Sequence, residues 1–241
     1  MSSRKDTYAV LIEMLKVYKH LDFDVLPPLR LDVAPLQTIE SLQGVIPLQD
    51  VDPLQAVRDE LGQCTRCKLH VSRKNIVFGE GSSTARVLFV GEGPGADEDE
   101  QGRPFVGRAG KLLTSLIEKM GFSRQSVYIA NIVKCRPPGN RDPEEDEVRA
   151  CIGFVEKQIA AIKPEVIVTL GSVSTRTLLK TDKRISDLRG RFHNYNGIKV
   201  MPTFHPSYLL RNSSQKWVTW NDALMVLAAL GMQAPEGKEG L

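Results

Sequence analysis

Four cysteines, Cys64, Cys67, Cys135 and Cys151, are the clearest chemical signal in the chain. The first two form a C-x2-C pair; the second two stand fifteen residues apart, with a loop and half a helix expected between them. No export signal precedes them, so disulfides are the weaker reading and a metal site or free core thiols the stronger. Structural zinc and iron-sulfur clusters both take four thiolates, and spacing alone does not separate them. The wide second pair is unlike the paired knuckles of most zinc ribbons, which tilts the reading toward a 4Fe-4S cluster.

A second group of residues follows the apolar run Arg86 to Val90. Gly91-Glu92-Gly93-Pro94-Gly95 leads into the acidic stretch 97 to 100 and then Gly102-Arg103-Pro104-Phe105-Val106-Gly107. A glycine-rich turn at the carboxyl end of a strand is where open α/β sheets bind ligands. Two nucleotide-binding patterns fail here. The glycines at 91, 93 and 95 do not make G-x-G-x-x-G, and no Gly-Lys-Ser/Thr follows at the P-loop distance. As a lone glycine cluster it is a tight turn.

Asn131 interrupts another apolar run. A buried amide without partners costs about 1 to 3 kcal/mol, so it is tied to backbone or aimed at a ligand. The chain continues as Lys134-Cys135-Arg136-Pro137-Pro138-Gly139-Asn140-Arg141, a stiff basic loop suited to phosphates. Further on, Phe204-His205-Pro206-Ser207-Tyr208-Leu209-Leu210-Arg211 places an imidazole where a strand ends and a helix opens. Ser207 offers a hydroxyl and helical amides for a phosphate, and Leu209 or Leu210 an apolar wedge between bases.

Elements must hold these groups in place. Runs 86–90, 127–133 and 165–170 are short and β-branched, as in strands buried on both faces. Helical patterns at 108–120 and 143–162, the second opened by Asp142 and Pro143, alternate with them, which predicts a parallel sheet covered by helices on both sides. Asn196-Gly197 is a hairpin turn whose second strand delivers the chain to His205. Asp52 and Pro53 open a helix bearing Leu54, Val57 and Leu61 that stops at Gly62. A last helix spans about 216 to 230. Ahead of all this, residues 1–53 read as an extension: an amphipathic helix over 7–21, then a proline-rich linker, with residues 54–241 as the main domain.

The 241 residues are 41% hydrophobic and carry a net charge of +3. That charge is uneven: residues 1–63 sum to −4, leaving +7 on residues 64–241, where the motifs sit. A modest excess of this kind suits transient contact with a phosphate backbone, although many metabolic enzymes share it. No apolar run approaches the roughly 18 residues of a membrane span, so the expected setting is the cytoplasm, without a membrane partner.

Together, C-x2-C at 64–67, GEGPG at 91–95, GRPFVGRAGKLL at 102–113, NIVKCRPPGNR at 131–141, Cys151 and HPSYLLR at 205–211 resemble the family 4, iron-sulfur uracil-DNA glycosylases. The likeness spans about residues 57–231. It implies a three-layer α/β/α sandwich with a four-stranded, mainly parallel sheet, a 4Fe-4S cluster on Cys64, Cys67, Cys135 and Cys151, and hydrolysis of uracil from single- or double-stranded DNA with free uracil as product. Carried over by position, Phe105 stacks on an extruded uracil and Asn131 reads its Watson-Crick edge. Gly91 and Gly93 offer backbone, and His205 donates to uracil O2, where charge builds as the bond breaks. Arg136, Ser207, Leu209, Leu210 and Arg211 are assigned to DNA. Other branches of the superfamily place a carboxylate or amide at the position of Gly93. Glu92, Glu98 and Asn140 therefore remain for the water, with Glu98 or Asn140 positioning it and Glu92 shaping the pocket. A branch similar to this one forms a covalent bond to DNA through a histidine in a basic insertion; here loop 134–143 is short and has none, so turnover without an adduct is expected. A monomer is expected too, with a repair or replication partner conceivable through the N-terminal extension. Two other readings stay open: a protein that binds uracil or damaged DNA without cutting, and a zinc-stabilised nucleotide hydrolase.

Overall fold

A computed structural model describes residues 52–237. The helix expected over 7–21, the linker up to residue 51 and the final residues 238–241 lie outside the described residues.

Helix α1 (Gln55–Leu61) starts later than Asp52-Pro53 suggests: Leu54 is its N-cap, because Asp52 instead closes a turn ahead of the helix, Oδ1 accepting the Leu54 amide at 3.0 Å, and the helix stops at Gly62, whose φ of 42° suits glycine. Leu54, Val57 and Leu61 are buried, as the spacing predicts. Strand β1 (Glu80–Gly81) follows, then β2 (Val87–Gly91), α2 (Ala96–Gln101), α3 (Arg108–Lys119), β3 (Tyr128–Asn131), α4 (Glu145–Ile162), β4 (Val166–Leu170), α5 (Ser172–Leu179), α6 (Ile185–Leu188), β5 (His193–Tyr195), β6 (Ile198–Thr203), α7 (Pro206–Arg211) and α8 (Lys216–Ala229).

The sheet has six strands in the order β1-β3-β2-β4-β6-β5. β3, β2, β4 and β6 are parallel, the four-stranded centre that the family resemblance implies; β1 and β5 add antiparallel edges. The Asn196-Gly197 turn has φ of 49° and 88°, both in the left-handed region that a two-residue hairpin needs. Every residue of β2 and β4 is buried, which requires cover on both faces. One face packs Leu88, Val90 and Tyr128 under α1 and α4; the other packs Val87, Phe89 and Ile129 under α3 and α8.

Boundaries shift where polar residues compete. The strand expected over 127–133 ends at Asn131, and the helix expected from 143 starts at Glu145, because Glu144 and Glu147 form the capping box instead of Asp142. No described helix is long and apolar enough to cross a membrane.

Candidate functional site

The carboxyl ends of the parallel strands open on a cavity of about 610 Å³. Glu92, Gly93, Glu98, Phe105, Asn131, Asn140, His205, Ser207 and Arg211 all line it, so most of the residues singled out in the sequence converge although they span about half of the chain. This is the switch point between β2, whose neighbours are β3 and β4, and the helices that leave on opposite faces.

Asn131 closes β3 with its amide over the cavity floor. Its Oδ1 is buried and has no hydrogen-bond partner among the described residues. An acceptor left so costs about 1 to 3 kcal/mol, which a ligand N–H would recover. Gly91 lies beneath it: a β-carbon there would stand 2.4 Å from Asn131 Oδ1 and 2.5 Å from the Phe105 ring. Gly93 likewise leaves room, here for Val133, which a β-carbon would meet at 2.7 Å.

Phe105 forms a wall. Its φ of 51° is unusual for a bulky residue. The conformation is held from outside: Arg124 donates to the carbonyls of Phe105 (2.9 Å) and Pro104 (2.6 Å), and Glu80 anchors Arg124 at 3.1 Å. On the other side α3 comes so close that a β-carbon on Gly110 would lie 2.0 Å from the Phe105 carbonyl.

His205 faces Phe105, ring centroids 5.8 Å apart. The Ser207 backbone N–H donates to His205 Nδ1 at 3.1 Å, which requires a lone pair there and leaves the ring proton on Nε2. Ser207 Oγ stands 2.7 Å from the same nitrogen. Burial, and then the charge of Arg211, push the imidazole down to about 4 against a weaker pull from Glu98, so at neutral pH it is an uncharged donor. The strand before it is fixed by Thr203, which donates to buried Asp222 at 2.6 Å, itself gripped by both Arg189 nitrogens at 2.6 and 3.2 Å.

Three assignments are redirected by this geometry. Ser207 spends its amide and hydroxyl on the imidazole and is not laid open to a phosphate. Leu209 is 1% exposed, a core residue, whereas Leu210 is 40% exposed. Glu98, expected to position water, has both oxygens occupied: Oε2 accepts Gly95 N at 3.0 Å, and Oε1 accepts Val106 N at 2.8 Å and Gly107 N at 3.0 Å. It ties the glycine turn to the Phe105 loop.

Glu92 differs. Burial, reinforced by the charge of Asp142, raises its carboxyl to about 7. Asn140, exposed and with φ of 56°, accepts from Arg136 Nε at 2.7 Å, so Arg136 is turned toward the rim of the cavity. Lys134, expected on the basic surface, is buried.

Away from the cavity, the four cysteines form no disulfide and pack into one hydrophobic cluster under α1 and α4. Arg73 Nη1 donates to Cys135 Sγ at 3.3 Å and to the Cys64 carbonyl, and the Lys134 amide donates to Cys151 Sγ at 3.3 Å. Burial raises both inner thiols, Cys151 to about 11, and the neighbouring cysteines add to it. Among the described residues no group of three or more His, Cys, Asp or Glu is disposed to hold a single metal ion. N–H donors aimed at two sulfurs and a guanidinium beside them do suit thiolates bound to a group larger than one ion.

Arg124, Asp142, Arg73 and Gly171 escape sequence reading. Only Gly171, directly after a strand, carries a local signal: its φ is 90°, and a β-carbon there would lie 2.9 Å from His205 Cβ.

Comparison with known proteins agrees with this geometry. The model of the uracil DNA glycosylase superfamily matches residues 78–224. A type-4 uracil-DNA glycosylase of Saccharolobus solfataricus is 48% identical over 189 residues, covering 75% of this chain and 88% of the relative. One from Thermotoga maritima is 50% identical over 165 residues (68% and 86%), and one from Sulfurisphaera tokodaii 44% over 181 residues (71% and 82%).

Proposed function

The chain belongs to the uracil-DNA glycosylase superfamily, and from that premise we propose that it is a uracil-DNA glycosylase of DNA repair, hydrolysing the bond between uracil and deoxyribose and releasing free uracil. The unpartnered Asn131 Oδ1 carries the reading. In uracil, N3–H donates and O4 accepts, and a single amide answers both.

The other groups follow from the chemistry of the bond. Departure of uracil puts negative charge on the base and positive charge on the sugar. Phe105 supplies a flat surface for the base, and His205 Nε2–H meets O2 as charge develops there; a neutral donor stabilises the anion without handing over a proton. Glu92, with a carboxyl near neutrality, takes the water and, once ionised, faces the cationic sugar. Asn140 borders the water, Glu98 braces the loop, and Leu210, Arg211 and Arg136 meet the DNA around the extruded nucleotide.

Cys64, Cys67, Cys135 and Cys151 hold a 4Fe-4S cluster in this reading. Four cysteines gathered in one hydrophobic cluster, with N–H groups donating to two of their sulfurs, would suit thiolate ligation of such a group. It would supply a cross-link from the 64–67 loop to the loop after β3, through Cys135, and to α4, through Cys151.

The test is incubation of brown, purified protein with uracil- and thymine-containing oligonucleotides, followed by alkali. Strand scission at uracil alone supports the reading. Retention of the uracil strand without scission makes the protein a binder, and a denaturation-resistant protein-DNA band contradicts simple hydrolysis.

A further inference from the structure

Lys134 is 1% exposed, and among the described residues no other lysine or arginine is so deeply buried. Its Nζ donates to the Asn131 carbonyl at 3.0 Å and to Gln158 Oε1 at 2.7 Å, while its backbone N–H donates to Cys151 Sγ at 3.3 Å. An ammonium in a hydrophobic interior is costly unless it is hydrogen-bonded, and an apolar side chain of the same length would fill the space without that cost. The cation therefore serves something besides packing.

Strand alternation shows what it serves. The Ile132 amide donates to the Gly91 carbonyl in β2, so the backbone groups of Asn131, one residue earlier, face the opposite edge. On that edge β1 pairs only with Tyr128 and Ile129 and stops before reaching Asn131. The Asn131 carbonyl has no strand to donate to it, and the Lys134 ammonium stands in for one. Gln158 completes the cradle from α4, with Nε2 donating to the Phe78 carbonyl at 2.9 Å and to the Tyr128 hydroxyl at 3.1 Å. One side chain thus links the cysteine-bearing loop, the sheet edge and the residue whose amide faces the cavity.

We propose that Lys134 is a positioning residue: by clamping the Asn131 carbonyl against Gln158 it sets the angle at which the Asn131 amide meets the base, and makes reading of uracil depend on the cysteine-bearing loop. This rests on the function proposed above. Lys134 touches neither base nor sugar, and acts through Asn131 alone.

The test is a double-mutant cycle on the full-length protein with its iron bound. Lys134→Met removes the donor; Lys134→Gln keeps a neutral one and eases folding. Each is made in wild-type and Asn131→Ala backgrounds, and iron content, affinity for free uracil by calorimetry and excision kcat/KM are measured. Loss of one hydrogen bond from a charged donor corresponds to about tenfold or more, so Lys134→Met is expected to weaken uracil binding and kcat/KM by that factor with iron retained. Lys134→Gln recovers part of both. In the Asn131→Ala background the same substitutions change kcat/KM by no more than about twofold, because the group they act through is gone. The proposal is overturned if uracil affinity is unchanged, if the full loss persists without the Asn131 amide, or if activity falls only in step with iron. Should the Met variant fail to fold, the Gln variant decides by the same cycle. A wild-type protein that binds uracil but excises none would instead overturn the glycosylase reading, while the affinity arm still judges Lys134.

Discussion

Replacing Gly91 by alanine probes the pocket without deleting any side chain that lines it. The φ of Gly91 lies outside the left-handed region, so the backbone of β2 accepts an alanine. The added carbon would sit 2.4 Å from Asn131 Oδ1 and 2.5 Å from the Phe105 ring, about 1 Å inside the roughly 3.5 Å at which such atoms rest. β2 lies in the middle of the sheet and cannot retreat, so the two side chains must move into the cavity. Overpacking by one methyl costs about 1 to 3 kcal/mol. Expressed at the transition state, that is roughly a 5- to 150-fold loss of kcat/KM. The assay is steady-state excision from a single-stranded uracil oligonucleotide, with Tm measured in parallel. Gly110→Ala is the contrast: its β-carbon would strike the Phe105 backbone at 2.0 Å, which cannot swing aside, so Tm and activity fall together. Gly91→Ala is expected to keep Tm closer to wild type than Gly110→Ala does, while kcat/KM drops about 5- to 150-fold. Wild-type kcat/KM in Gly91→Ala would refute the claim that Asn131 and Phe105 share that space in the working site.

Three other outcomes follow from the same geometry. His205→Ala and Asn131→Ala should each lose far more excision rate than iron; equal loss of both, by kinetics and metal analysis, would make them structural. With its carboxyl raised to about 7, Glu92 is mostly protonated at pH 6 and mostly ionised at pH 8, so kcat should climb with pH around a midpoint near 7. Glu92→Gln should flatten that limb, whereas His205, lowered to about 4, adds no titration in this range; a rate that falls from pH 6 to 8 would contradict the assignment. Leu210→Ala should weaken excision from double-stranded more than single-stranded DNA at unchanged Tm, while Leu209→Ala should cost about 2 to 5 kcal/mol of stability, measured by denaturant titration.

The parallel centre of the sheet was legible because VLFV and VIVTL are β-branched runs too short for helices, and Asn-Gly announced its hairpin. β1 was not, since two residues carry no period, and neither was α5, whose SVSTRTLL has no apolar stripe to reveal it. The site residues were found through their motifs, and the cavity gathers them. What motifs withhold is direction. Glu98 looks like any acid in a cluster until the amides of Val106 and Gly107, eight and nine residues on, are seen to claim it. Leu209 and Leu210 are adjacent and identical, and only the packing of α7 separates a core residue from an exposed one. Lys134 stands among basic neighbours, yet the turn at the end of β3 folds it inward.

The two faces of the sheet are fastened by different means. All the thiols belong to the layer under α1 and α4, whereas Phe105 belongs to the layer under α3 and α8, whose apolar packing centres on Trp220, Leu113, Ile117 and their neighbours. Oxidation of the thiols would therefore strike one half of the sandwich, and amide exchange would quicken there first. The aromatic wall would outlast the Asn131 amide that faces it across the seam, and under the proposed function the cavity would keep its flat surface after losing its polar contact.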